Sequence, residues 1–321
     1  MTPPIVIVVP GDDPPQIADS PQLERLRPFG QVRVYRSRPA STDEKIERAR
    51  GAQVILNSRG IVTWRQTELE SLPDLRLIAT CSIGTDMIDL QVARQRGIVV
   101  SNQPGRTAPV VAEHMVGLMF ALAKKVVFQT TQLRAGNWTR AVNATLRGKT
   151  LGLIGTGHIG AEMAHWGRAM GMRVVAWTFH PDAARAQALG LTYLSLDEVL
   201  GRADVVSLHV RLSEQTRHLI GRRELALMRP GSLLLNGARG DVVDLDAVVD
   251  SLDAGHLGGA GLDVFPEEPL PPHHPILRCA HVALTPHAAD QTPEGIELLN
   301  EGAVDNVIAF LQGQPRHNVA V

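Results

Sequence analysis

Short runs rich in valine, isoleucine and leucine punctuate the chain, and most are followed by residues whose apolar positions recur at helical spacing. In the first third these runs are PIVIVV (4–9), QVRVY (31–35), AQVIL (52–56), LRLIAT (75–80) and IVVSN (98–102), separated by polar or amphipathic segments such as TDEKIERARG (42–51) and DLQVARQRG (89–97). From residue 150 the rhythm resumes with TLGLIG (150–155), RVVAW (173–177), DVVSLHV (204–210), SLLLNG (232–237), GGAGLDV (258–264) and HVALTP (281–286). Nearly continuous apolar runs of this length suit strands buried on both faces, as in a parallel sheet with helices on each side. The pattern predicts two α/β domains, each a doubly wound parallel sheet.

Between the halves lies PGRTAPVVAEHMVGLMFALAKKV (104–126). Pro104 and Gly105 break the chain, and one long helix with an apolar stripe and a basic C-terminal end is expected after them. Its apolar content exceeds what one face against one domain requires. Two readings stay open: contact with a second copy, giving a homodimer, or a fully buried core helix. PEGIELLNEGAVDNVIAFLQG (293–313) predicts a last helix, started by Pro293 and stopped by Gly313, that packs back on the first domain. The expected division is 1–103 with 288–321 for one domain and 104–287 for the other.

Length and composition fit this division. The 321 residues are 44% hydrophobic and 20% charged, a globular profile, and the net charge of −1 offers no surface for nucleic acid or membrane. Cys81 and Cys279 stand far apart without metal spacing, which fits a reducing cytoplasm. The start, MTPPIVIVVPGDD, reads as a first strand rather than a signal peptide.

The strand TLGLI runs directly into Gly155-Thr156-Gly157-His158-Ile159-Gly160 and then a helical pattern. Strand, glycine turn, helix and second strand (RVVAW) form the context in which GxGxxG holds a dinucleotide. Gly155 permits the tight turn, Gly157 admits the pyrophosphate, and Gly160 lets helix and strand pack closely. The helix N-terminus at His158 and Ile159 supplies N–H donors. An NAD site usually places an acid at the end of the next strand. VVAWTFHP (174–181) offers Thr178 instead. A neutral hydroxyl does not repel a 2′-phosphate, so the cofactor is NAD(P) with a lean toward NADP(H). His180 and Arg185 stand ready to face that phosphate, although His180 reads equally as a solvated loop residue. Asp182 reads as the first turn of the next helix.

Three further strand ends carry polar groups: LLLNGARGDVVD (233–244) with Arg239, GLDVFPEEPLP (261–271) with Glu268, and VALTPHAADQT (282–292) with His287. Strand C-termini are where open α/β sheets bind ligands. A guanidinium grips a carboxylate, a histidine exchanges a proton near neutral pH, and a carboxylate beside it favours the charged form. Such a set suits carbonyl reduction. His273 and His274, in PPHHP, lack ligand-spaced carboxylates, and no metal is expected.

GTGHIG (155–160), NGARGDVVD (236–244), LDVFPEEP (262–269) and LTPH (284–287) match, in order and spacing, the signatures of the D-2-hydroxyacid dehydrogenases. The chain resembles that family, with its glyoxylate/hydroxypyruvate reductase-like members, over essentially its whole length. The resemblance implies a Rossmann cofactor domain, a flavodoxin-like substrate domain, and a small 2-oxoacid or 2-hydroxyacid bound in the cleft between them. It implies that Arg239 binds the 2-oxoacid and that His287 is the acid/base paired with Glu268. Backbone N–H groups near Ile83 and Gly84, in CSIGTDMID (81–89), would meet the substrate carboxylate, and Asp263 would lie on the nicotinamide side. Arg59, Trp64 and Met87 are candidates to shape the substrate pocket. Arg211, standing where the family usually has proline, either helps hold a phosphate or is solvated. A nicotinamide-sensing interaction module, like the family's corepressor members, is the rival reading.

Overall fold

The computed structural model describes residues 4–60 and 62–320. The chain divides into two compact units, residues 1–107 with 291–321 and residues 108–290. The first border falls four residues later than expected, because Arg106 pairs with Glu301 and Asp305 and so holds its segment to the first unit.

In the first unit the strands β1 (Ile5–Val9), β2 (Gly30–Val34), β3 (Val54–Asn57), β4 (Leu77–Thr80) and β5 (Val99–Ser101) form one parallel sheet, ordered β2-β1-β3-β4-β5. This is the flavodoxin-like order. Successive side chains alternate between its faces. Val8, Ile55, Ile78 and Val100 pack with Ala49, Leu69 and Ala93 from α1 (Thr42–Ala49), α2 (Gln66–Glu70) and α3 (Leu90–Gln95). Ile7, Val9, Leu56 and Leu77 pack on the opposite face with Leu299, Ala303, Val304 and Val307 of the last helix, Pro293–Leu311. That helix packs back as its sequence predicts. Trp64 departs from expectation. It is fully buried in the first of these cores, and its Nε1 donates to Asn57 Oδ1 at 3.0 Å. A side chain anchored there is core and cannot wall a substrate pocket.

The second unit opens with α4 (Ala108–Ala123). Nine of its sixteen residues are buried, so core packing accounts for its apolar stripe. The helix ends three residues before the expected Val126, because Lys125 adopts a left-handed conformation (φ 50°). A separate helix, α5 (Val126–Arg134), follows with no buried residue. Next come β6 (Thr150–Ile154), α6 (His158–Ala169), β7 (Arg173–Trp177), α7 (Ala183–Leu189), β8 (Thr192–Tyr193), α8 (Leu196–Arg202) and β9 (Val205–Leu208). The unit continues with α9 (Arg222–Leu227), β10 (Leu233–Asn236), α10 (Leu245–Asp253), β11 (Gly259–Leu262) and β12 (Val282–Leu284). The parallel sheet runs β12-β11-β10-β9-β6-β7-β8. Strand order reverses between β6 and β9, which is where a doubly wound sheet opens a crevice for a dinucleotide. Strand β8 has no counterpart among the predicted runs. It is two residues long and exists by pairing with β7.

Among the described residues, no helix is long and apolar enough to cross a membrane, and no group of three His, Cys, Asp or Glu is placed to hold a metal. His274 caps a short 3-10 turn instead, its Nδ1 accepting from the Ile276 N–H at 3.2 Å.

Candidate active site and dinucleotide site

The three glycines after β6 have three distinct environments. Gly155 sits at φ 98°, and a Cβ there would come within 2.6 Å of the His209 carbonyl oxygen. A Cβ on Gly160 would lie 2.2 Å from the Gly155 oxygen, so this glycine is required for α6 to approach the turn. A Cβ on Gly157 would meet no atom beyond its chain neighbours and helix backbone within 4 Å. That opening is what a pyrophosphate needs to reach the backbone. His158 and Ile159 begin α6, where first-turn N–H groups have no partner within the helix. The adjoining recess, about 470 Å³, is lined by Thr156, Gly157, Thr178, His180, Asp182 and Arg185. Asp182 is the N-cap of α7 rather than part of its first turn, accepting from the Arg185 N–H at 2.6 Å. Arg211 is exposed and lies outside this lining. One contributor carried no sequence signal. Tyr193, on the unpredicted β8, hydrogen-bonds Thr156 Oγ1 through its hydroxyl at 2.8 Å. The residues present therefore fit a dinucleotide.

Beyond the other strand ends, the second unit gathers Arg239, Glu268 and His287. Asn236, buried at the end of β10, donates from Nδ2 to the Arg239 carbonyl (2.9 Å) and accepts from the Ala238 N–H (3.0 Å). Its side chain thereby folds the 237–239 turn back onto the strand. Gly240 lets that turn abut the loop bearing Glu268, since a Cβ would fall 1.9 Å from the Phe265 carbonyl carbon. The Phe265 N–H holds Glu268 Oε1 at 3.0 Å, and Glu268 Oε2 meets His287 Nδ1 at 2.7 Å.

The charges agree with this geometry. The hydrogen bond to Glu268 raises the His287 pKa against the opposing pull of desolvation; the Glu268 charge adds to the rise and Arg239 opposes it. Desolvation by itself would raise Glu268, but the His287 and Phe265 hydrogen bonds prevail and hold its carboxyl below the usual range. His209, by contrast, is pushed down to about 3 by burial and cannot serve as an acid at neutral pH. With Nδ1 committed to Glu268, His287 has Nε2 left for proton exchange.

Asp263, also in the second unit, is buried. It accepts from Thr285 Oγ1 (2.6 Å) and from the Ala288 and Ala289 N–H groups (2.8 and 3.1 Å). In the first unit Arg59 donates to Gln291 Oε1. The Ile83 and Gly84 carbonyls accept from Asn102 Nδ2 and Ser82 Oγ (each 2.8 Å), while their own N–H groups donate to no described residue.

A glycine turn at the switch point of a parallel sheet, with a paired histidine and carboxylate on the same unit, defines a nicotinamide-dependent oxidoreductase. Residues 116–289 match the family described as D-isomer specific 2-hydroxyacid dehydrogenase, NAD binding domain. A glyoxylate reductase of Aeropyrum pernix is 39% identical over 260 residues, 78% of each chain. A glycerate dehydrogenase of Methylorubrum extorquens is 36% identical over 288 residues, 86% of this chain and 88% of its own. The crystal structure of a glyoxylate reductase from Paecilomyes thermophila superposes with a TM-score of 0.90 at 26% identity, covering 99% of both chains. The chain belongs to the D-isomer specific 2-hydroxyacid dehydrogenase family.

Proposed function

We propose that the chain reduces a small 2-oxoacid of the glyoxylate or hydroxypyruvate type, with 3-phosphoglycerate oxidation as the weaker alternative. The observation that carries this reading is the His287–Glu268 pair, 2.7 Å apart and polarised toward imidazolium and carboxylate. Protonated His287 gives its Nε2 proton to the substrate carbonyl oxygen, and in the reverse direction neutral His287 removes it. Arg239 grips the substrate carboxylate and polarises the adjacent oxygen. The Ile83 and Gly84 N–H groups suit the same carboxylate. A nicotinamide, when bound, supplies or accepts the hydride. On this reading the first unit serves substrate and the second serves cofactor.

NADP(H) is the proposed cofactor. Thr178 brings no charge to the recess, Asp182 is engaged as a helix cap, and Arg185 makes no ion pair among the described residues. A homodimer is proposed as well, through the exposed apolar side chains that follow α4.

The test is a panel of 2-oxoacids followed by absorbance, with NADH and NADPH in parallel, on wild type, Arg239→Ala and His287→Ala. Wild type is expected to turn over glyoxylate or hydroxypyruvate and both variants to lose activity with the fold retained. Near-normal turnover in either variant would overturn the mechanism. A kcat/KM with NADH about tenfold above that with NADPH, worth about 1.4 kcal/mol, would overturn the cofactor assignment. Tight cofactor binding with no turnover on any substrate would point to the interaction module instead.

A further inference from the structure

We infer that His114 is a positioning residue for the turn that carries His287, acting through Thr285 and Asp263. This inference rests on His287 being the acid/base.

Asp263 hangs the turn from several directions. Its carbonyl accepts the His287 N–H at 2.7 Å, and its carboxylate accepts the next two N–H groups, Ala288 at 2.8 Å and Ala289 at 3.1 Å. The turn needs such support, because His287 sits at φ 52°, a left-handed conformation that a non-glycine residue keeps only when its surroundings hold it. The same carboxylate takes a hydrogen bond from Thr285 Oγ1 at 2.6 Å, and Thr285 Oγ1 in turn lies 2.9 Å from His114 Nε2.

The proton order along this chain is determined. A carboxylate only accepts and a threonine hydroxyl has a single proton. Thr285 spends that proton on Asp263, so its lone pair must accept from His114, which therefore carries its proton on Nε2. At 3.6 Å from Asp263 Oδ1, His114 is too distant to replace the threonine. The imidazole fixes the hydroxyl's rotation, the hydroxyl fixes the carboxylate, and the carboxylate fixes the main chain on either side of His287. His114 itself is held by α4, whose neighbouring residues Met115 and Met119 are fully buried in the core of this unit. The arrangement is a line of hydrogen bonds from a rigid helix to the acid/base residue.

The experiment combines His114→Leu, His114→Gln, Thr285→Val and the His114→Leu/Thr285→Val double variant. The Leu and Val variants are expected to lower kcat for 2-oxoacid reduction about tenfold, as modest misplacement of a catalytic group does. Dinucleotide Kd from fluorescence stays unchanged. Glutamine, which keeps an N–H donor, recovers most of the loss, and the double variant is no worse than the worse single. The His287 ring signals in NMR, identified by their absence in His287→Ala, move together in His114→Leu and Thr285→Val. Losses that multiply in the double variant, a glutamine variant no better than leucine, or His287 signals unmoved by either change would overturn the inference. Full turnover by His287→Ala would overturn the catalytic reading instead, and the ring signals still report on the hydrogen-bond line without any turnover.

Discussion

His287 and Glu268 are a pair in which each partner shifts the other's titration. The histidine rises and the carboxyl falls, chiefly through one 2.7 Å hydrogen bond on the histidine side and through the same bond opposing desolvation on the carboxyl side. On the proposed mechanism the working form for reduction is the protonated ring. A raised pKa means that this form is present below the shifted value and is lost as pH rises through it, while the neutral form needed for oxidation appears above it. Glu268→Gln removes the charge and the strongest acceptor. The alkaline limb of kcat/KM for reduction is then expected to move down toward the ordinary histidine value of about 6.5. A pH profile with an unmoved alkaline limb would show that Glu268 does not set the titration of His287. These residues were legible in the sequence because each follows an apolar run, so its place at a strand end was fixed before its neighbours were known. His114 and Thr285 were not. A lone histidine in an apolar helix and a threonine beside a proline have no spacing that announces a hydrogen-bond line.

At the scale of elements, the glycine turn separates binding from folding. Gly157 has open space around it, whereas Gly160 faces backbone. Gly157→Val is therefore expected to fold normally, since its φ of −64° suits valine, while its side chain intrudes where the dinucleotide would approach. Gly160→Val must displace the Gly155 carbonyl and is expected to cost stability, roughly 1–3 kcal/mol for an overpacked site. Urea unfolding and fluorescence titration with NADPH separate the two effects. Wild-type affinity in Gly157→Val would mean that the turn does not cradle a phosphate. The longer strands were predictable because continuous apolar runs have few other uses. Strand β8 escaped because two residues carry no periodicity and pair only once β7 is in place. The division between α4 and α5 escaped for a different reason: the helical pattern continues through a left-handed Lys125 that composition does not mark. Trp64 misled because it follows a strand end, yet the chain turns it inward to cap Asn57.

At the scale of the whole molecule, the apolar side chains left outside the core ask for a partner. Helix α5 buries none of its residues, and Val126, Val127 and Leu133 are exposed on it. Trp138 and Val142, at 80% and 87% exposure, lie just beyond, in a stretch with neither helix nor strand. Scattered apolar residues are ordinary on a surface, whereas a large contiguous apolar patch marks an interaction site, and we propose that these side chains form one. A second copy is the partner that this chain always has available, and a two-fold contact lets one patch serve both sides. Sedimentation equilibrium is expected to give twice the chain mass of 34.7 kDa. Trp138→Lys combined with Val142→Lys should return it to the mass of one chain, because a buried lysine pair facing its own symmetry mates is not tolerated in an apolar contact. Dinucleotide binding by the second unit should survive the change, since neither residue lines its recess. A wild-type protein that sediments as one chain at every concentration would leave these side chains without the proposed partner, and a double-lysine variant that remains dimeric would move the contact elsewhere on the molecule.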